Sequence, residues 1–225
     1  MSRFIKRKIE VEDSGYTEVY TPGSRQVPAF RLERSNLFFI GLRGSGKSTL
    51  ASKIAQALDG PYVDLDDRIM ERAGCSIAAT VRSLGWDQFR GLEHDCLQEV
   101  CGRQGQVVAT GGGSVLLPAN RELLKANGRV VYLQADVSLL ARRLQQDPLA
   151  SKRPPLSDLS LEEELARSLR EREPLYFECL DYILQADKPV EALVNSVLTM
   201  LKPGSACFQE DESLDFDPGL DEEWL

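Results

Sequence analysis

Histidine is almost absent from this 225-residue chain, with His94 the only one. That leaves little material for a His-rich metal centre or for the nucleophile–base pair of serine and cysteine hydrolases. Flanked by Glu93 and Asp95, His94 reads as a solvated helix residue. Cysteine is sparse too. Cys75, Cys96, Cys101, Cys179 and Cys207 are odd in number, contain no C-x-x-C pair and fall mostly inside apolar helical patterns. Neither a zinc site nor a disulfide framework is expected from them. The longest apolar runs are strand-sized, such as Asn36 to Ile40 and Val130 to Leu133, far short of the ~20 residues that cross a bilayer. The N-terminal MSRFIKRKIEVEDSG has basic residues but no apolar h-region. It is not a secretory signal, and the cytosol is the expected compartment.

The chain also lacks a basic face. Its net charge of −8 is concentrated in the last 22 residues, which hold eight acidic residues and no basic one, leaving 27 acidic against 27 basic elsewhere. A nucleic-acid binder would show the opposite. What remains is an ordinary globular composition, 42% hydrophobic and 28% charged, in a length suited to one well-buried domain.

Between flanking segments the chain alternates strand and helix. Residues 1–35 show no sustained period and read as a short extension, packed back on the domain or disordered. Strands are expected at Asn36–Ile40, Tyr62–Asp66, Val107–Thr110, 129–135 and 181–186. Helices are expected at Ser48–Leu58, across roughly 67–102, at about 118–126, after Asp136, at 161–180 and on to Lys202. Five β-like runs separated by helices predict an α/β fold, a parallel sheet covered on both faces. The domain spans about 36–202. The acidic segment 203–225 is expected to be disordered.

The strongest local signal is Gly41-Leu-Arg-Gly44-Ser45-Gly46-Lys47-Ser48-Thr49. It matches G-x-x-x-x-G-K-[ST] between a strand and a helix, the context the motif needs. Glycines let backbone N–H groups turn onto phosphate, and the helix N-terminus adds its dipole. Lys47 supplies charge to the β/γ oxygens of ATP, and the Ser48 hydroxyl suits Mg²⁺. No carboxylate follows the third strand, and Asp136 after the fourth is explained as a helix N-cap. Asp64 and Asp66, i and i+2 on a strand, are expected on one face, one supporting the metal through water and the other facing an acceptor hydroxyl.

Three features suit an acceptor. Arg90 lies on a helix with Phe89, Leu92, Cys96 and Val100 on its buried side. Gly111-Gly112-Gly113 follows a strand, where doubly wound sheets bind ligands. Arg172 precedes Pro174 by two residues in a helix. Each also has a plainer reading: Arg90 as a salt-bridged helix arginine, the glycines as a tight turn, Arg172 as a surface residue. The residues alone give a phosphoryl-transfer enzyme with two arginines suited to an anionic acceptor, and leave the acceptor unnamed.

The order and spacing of these motifs resemble the shikimate kinase family. The P-loop Gly41–Thr49, Asp64-Leu-Asp66, Phe89-Arg90-Gly-Leu-Glu93, Gly111–Gly113, Arg153-Pro154 and Arg172-Glu-Pro-Leu-Tyr176 occur in the family's sequence order over about 36–202. The resemblance implies a three-layer P-loop kinase fold with a five-stranded parallel sheet, transferring the γ-phosphate of ATP to the 3-hydroxyl of shikimate. By that resemblance Gly44, Ser45, Gly46, Lys47, Ser48 and Thr49 bind ATP, with Arg143 stacked on adenine. Asp66 binds the shikimate hydroxyls, and Asp64 sits near the Mg²⁺ held by Ser48. Arg90 and Arg172 hold the carboxylate beside Gly111, Gly112 and Gly113. Arg153 swings in with a lid at about 147–160, and its R-P-P-L, in place of the more usual R-P-L-L, should stiffen that lid. Catalysis is then expected from Lys47, Asp66 and Arg153 in a monomer that engages neither nucleic acid nor membrane. The competing readings are a sugar-acid kinase, a nucleotide monophosphate kinase and a nucleotide-binding protein without turnover. The acceptor motifs argue against the first, the short 67–102 segment against the second, and the presence of Lys47, Asp66 and Arg153 against the third.

Overall fold

A computed structural model of the chain describes residues 4–11, 15–22, 32–146, 160–201 and 209–210. The expectations for Arg153, for most of the lid and for nearly all of the acidic tail lie outside these residues.

The centre of the molecule is the apolar run NLFFI. It forms β3 (Asn36–Ile40), every residue of which is buried. A strand buried on both faces belongs in the middle of a sheet. Its parallel neighbours are β5 (Val107–Ala109) on one side and β6 (Gly128–Gln134) on the other. β4 (Tyr62–Asp64) lies outside β5, and β7 (Tyr182–Gln185) lies outside β6. The five-stranded parallel sheet is as expected. The chain fills one side of β3 first and the other side second. The carboxyl end of β3 is therefore the switch point where such sheets bind ligands.

The sheet continues further than the sequence reading anticipated. β1 (Phe4–Val11) and β2 (Gly15–Pro22) form an antiparallel hairpin that joins β7 through Tyr20 and Ile183. A two-residue β8 (Gln209–Glu210) pairs with Arg7 and Lys8. The first 22 residues thus contain paired strands, where the reading found no period. Ile5, Ile9 and Val11 alternate, but the intervening Lys6-Arg7-Lys8 run masks the pattern.

The helical segments expected across 67–102 are two. α1 (Lys47–Ala57) follows the P-loop. α2 (Leu65–Ala73) ends at Gly74, which takes the left-handed cap conformation at φ 68°. α3 (Ile77–Cys101) starts at Ser76, whose hydroxyl accepts from Ala79 N–H, and bends at Gly85, where φ is 82°. α4 (Pro118–Asn127), α5 (Val137–Gln146), α6 (Leu161–Cys179) and α7 (Val190–Leu201) complete the helices. Ser160 and Glu163 form a reciprocal capping box that fixes where α6 begins. Asp136 stands at the start of α5, its carbonyl accepting from Leu140 N–H.

Candidate active site

The P-loop connects the buried end of β3 to α1. Gly41, Gly44 and Gly46 have φ values of 139°, 81° and 98°, a region that side chains with a Cβ rarely adopt. At Gly41 there is no room either, since a Cβ would lie 2.7 Å from the carbonyl oxygen of Leu133. Gly46 is the N-cap of α1, and no side chain caps the helix there, as suits a helix N-terminus that takes an anion. Lys47 is 7% exposed, and its Nζ donates to the carbonyls of Gly41 at 2.8 Å and Leu42 at 2.9 Å. The ammonium is thereby folded over the loop it serves. Ser45 is buried, with an Oγ that has no hydrogen-bond partner, and Thr49 is exposed on the first turn of α1. Arg143 reaches across from α5, donating to the carbonyls of Ser45 at 3.2 Å and Ala186 at 2.7 Å. It stands beside the phosphate loop, tied to backbone on both sides.

Asp64 and Asp66 come together differently from the strand argument. β4 stops at Asp64 and α2 begins at Leu65, so Asp66 lies in the first helical turn. Asp64 is the N-cap of α2, its Oδ1 accepting from Asp66 N–H at 2.9 Å. The strand register of i and i+2 does not apply, because the capping carboxylate ends the strand. Its other oxygen, Oδ2, accepts from Ser48 Oγ at 2.7 Å and from the Tyr62 hydroxyl at 3.1 Å. Partial desolvation of the Tyr62 hydroxyl, on a ring still 38% exposed, and the Asp64 charge push its pKa upward, so the phenol remains a donor. A hydroxyl and a carboxylate in contact are hard oxygen donors of the kind Mg²⁺ takes, with water completing the shell. The donor set fits the ion.

The glycine run lies beside this pair because β4 and β5 are in register, with Asp64 opposite Ala109. A Cβ on Gly111 would meet Asp66 Oδ1 at 2.8 Å and Glu93 Oε1 at 2.9 Å. On Gly112 it would meet the backbone nitrogen of Arg43, in the P-loop, at 3.2 Å, and on Gly113 it would run into the Arg90 guanidinium. All three glycines therefore mark close approaches. The turn reading is incomplete.

Arg90 is an ion-paired arginine as the plainer reading had it, yet it also faces this loop. Its Nη1 bonds Glu93 Oε2 at 2.5 Å, and its guanidinium lies over the Trp86 and Phe89 rings at 5.2 and 5.3 Å. Glu93 is 1% exposed and accepts from Ser114 Oγ at 2.6 Å through its second oxygen. Arg172, on α6, donates to the Gly112 carbonyl at 3.3 Å, while its buried Nε has no partner. Tyr176 donates to the same carbonyl at 2.6 Å. Lys47, Ser48, Asp64, Asp66, Arg90, Gly111–Gly113 and Arg172 thus border one end of the sheet. Glu93, Ser114 and Tyr176 had no assigned role in the sequence reading. Helical spacing offers the signal, since Glu93 is i+3 from Arg90 and Tyr176 is i+4 from Arg172. His94 is not simply solvated, for its Nδ1 is 2.7 Å from Oδ1 of the buried Asn120.

A cavity of about 430 Å³ lined by Arg68, Arg72, Glu99 and Arg103 lies between α2 and α3, away from the P-loop. Arg68 and Arg72 are already paired there with Glu71 and Glu99.

The family model for shikimate kinase matches residues 43–202. A shikimate kinase of Nitratidesulfovibrio vulgaris is 40% identical over 169 residues, covering 75% of this chain and 97% of its own. Shikimate kinase 2 of Photorhabdus laumondii is 39% identical over 168 residues, covering 75% and 96%. The solved structure of shikimate kinase from Acinetobacter baumannii in complex with shikimate superposes with a TM-score of 0.71 at 32% identity, over 76% of this chain and 94% of that one. A gluconokinase from Sinorhizobium meliloti, at 20% identity and a TM-score of 0.50, shares the fold alone. With a phosphate loop, a metal-suited carboxylate and an arginine-lined glycine turn at one switch point, this chain belongs to the shikimate kinase family.

Proposed function

We propose that the protein transfers the γ-phosphate of ATP to the 3-hydroxyl of shikimate, giving shikimate 3-phosphate and ADP on the route to chorismate and the aromatic amino acids. The observation that carries this reading is the 3.2 Å approach between a Cβ position on Gly112 and the P-loop nitrogen of Arg43. It sets the arginine-lined turn directly against the phosphate loop, as in-line transfer requires.

In this account Gly44, Ser45, Gly46, Lys47, Ser48 and Thr49 cradle the triphosphate, and Arg143 borders the adenine. Ser48 and Asp64, the latter through water, hold Mg²⁺, which neutralises charge on the phosphoryl oxygens when bound. Arg90 and Arg172 grip the shikimate carboxylate, because a guanidinium fork matches a planar carboxylate. Gly111, Gly112 and Gly113 allow the ring to approach backbone. Asp66 orients the 3-hydroxyl and takes its proton as the oxygen attacks phosphorus. Lys47 stabilises the charge on the transferred group, and Arg153 joins it with the lid. Residues 36–202 form the catalytic unit, working as a cytosolic monomer that engages neither nucleic acid nor membrane, with 1–35 and 203–225 as flanking segments. ³¹P NMR of the product tests this reading. One phosphate monoester at the 3-oxygen of shikimate is expected, and a product phosphorylated elsewhere would overturn it.

A further inference from the structure

We infer that Tyr176 is a positioning residue for the acceptor site, holding the Gly112 carbonyl so that Arg172 keeps its donors for the acceptor carboxylate. The inference rests on shikimate being the acceptor.

Tyr176 and Arg172 are one helical turn apart on α6 and meet at the same atom. The Gly112 carbonyl accepts a short bond from the Tyr176 hydroxyl at 2.6 Å and a long one from Arg172 Nη1 at 3.3 Å. A carbonyl oxygen has two acceptor sites. The shorter bond goes to a phenol that is fully buried and whose pKa burial drives upward, so it donates at every working pH. The ring has little freedom. It stacks on Tyr132 at 4.8 Å and 24°. Tyr132 in turn donates to Glu173 Oε1 at 3.1 Å, which also accepts from Gln134 Nε2 at 2.9 Å. Sheet, helix and glycine turn are therefore connected through one aromatic pair.

Without the Tyr176 hydroxyl, a deeply placed carbonyl loses its main donor. Leaving such a group unsatisfied is costly, and the nearest replacement is the Arg172 guanidinium. Drawn onto Gly112, that guanidinium turns away from the acceptor. The Gly112–Gly113 peptide, rigid and trans, also loses the bond that fixes its plane. The effect should fall mainly on acceptor binding: Gly112 packs against the P-loop at Arg43, but the bond lost with the Tyr176 hydroxyl is on the carbonyl it shares with Arg172.

The test uses full-length protein with Y176F, Y132F, R172Q and the Y176F/R172Q pair. Phe keeps the ring stack in the single variants. Y176F is expected to raise the shikimate KM about tenfold, with kcat and the ATP KM within about twofold. Y132F removes a buried hydroxyl that does not touch the glycine turn. It should lower the melting temperature and leave the shikimate KM unchanged. In the pair, the effect of Y176F should largely vanish, since it acts through Arg172. A Y176F shikimate KM within about twofold of wild type, or additive effects in the pair, would overturn the inference. Absence of shikimate-dependent turnover in the wild type would instead overturn the proposed function.

Discussion

Single residues carry the chemistry. Lys47 donates to two carbonyls of its own loop, so replacing it removes both a phosphate-directed charge and two bonds that shape the loop. Lys47→Ala should lower kcat by about 10²–10³-fold, read from product formation at saturating ATP and shikimate. Near-normal turnover would remove Lys47 from the mechanism. Arg172→Ala should act on the acceptor, weakening shikimate by about 2–4 kcal/mol if the guanidinium meets its carboxylate. A normal shikimate KM in that variant would exclude it. At this scale the motif residues themselves were legible, because phosphate cradles and arginine forks need particular side chains at particular spacings. The partners were less so. Asp64 and Asp66 lie together, though not by strand register, since one carboxylate ends the strand that was meant to align both. Glu93 and Tyr176 are signalled by their i+3 and i+4 spacing from Arg90 and Arg172, but their burial and their partners on other elements, Ser114 and Gly112, cannot be read along one helix.

Among the elements, apolar strands separated by helices were readable because parallel strands are buried on both faces. The basic stretch in β1 concealed a hairpin strand, and the break at Gly74 and the bend at Gly85 give the helical segments across 67–102 the bounds that their composition left open. Packing imposes a further demand at the start of β6. Gly128 has extended backbone, with φ of −176°, so conformation alone does not require glycine there. Space does. A Cβ would collide with the Asn36 carbonyl of the neighbouring strand and would lie 2.6 Å from the Phe38 ring. Gly128→Ala should therefore destabilise the fold by about 1–3 kcal/mol, as overpacking in a core does. Thermal unfolding measures it, and an unchanged melting temperature would show that the two strands separate at little cost. The central pair β3 and β6 also sets the P-loop, so lost activity should accompany lost stability.

The whole molecule holds buried and half-buried groups whose surroundings favour the neutral form. Burial pushes the Cys101 thiol from 9.0 up to about 11 and the Cys179 thiol up to about 12, and it raises Tyr132 and Tyr176 as well. Each is an acid whose folded pKa exceeds its unfolded value. Their stabilisation is complete below the unfolded thiol pKa and is lost as pH rises through the folded values, because the unfolded chain releases protons that the folded chain retains. Urea unfolding should show lower stability at about pH 11 than at about pH 8. An equal midpoint would mean that these groups ionise without unfolding the protein. Shikimate phosphorylation belongs at the shared end of the sheet, where the phosphate loop and the arginine-lined glycines meet. Release of ADP by the purified full-length chain with Mg-ATP tests it most directly, with shikimate, gluconate and AMP supplied in turn. Strong stimulation by shikimate alone is expected, whereas turnover on gluconate or AMP without turnover on shikimate would contradict the account.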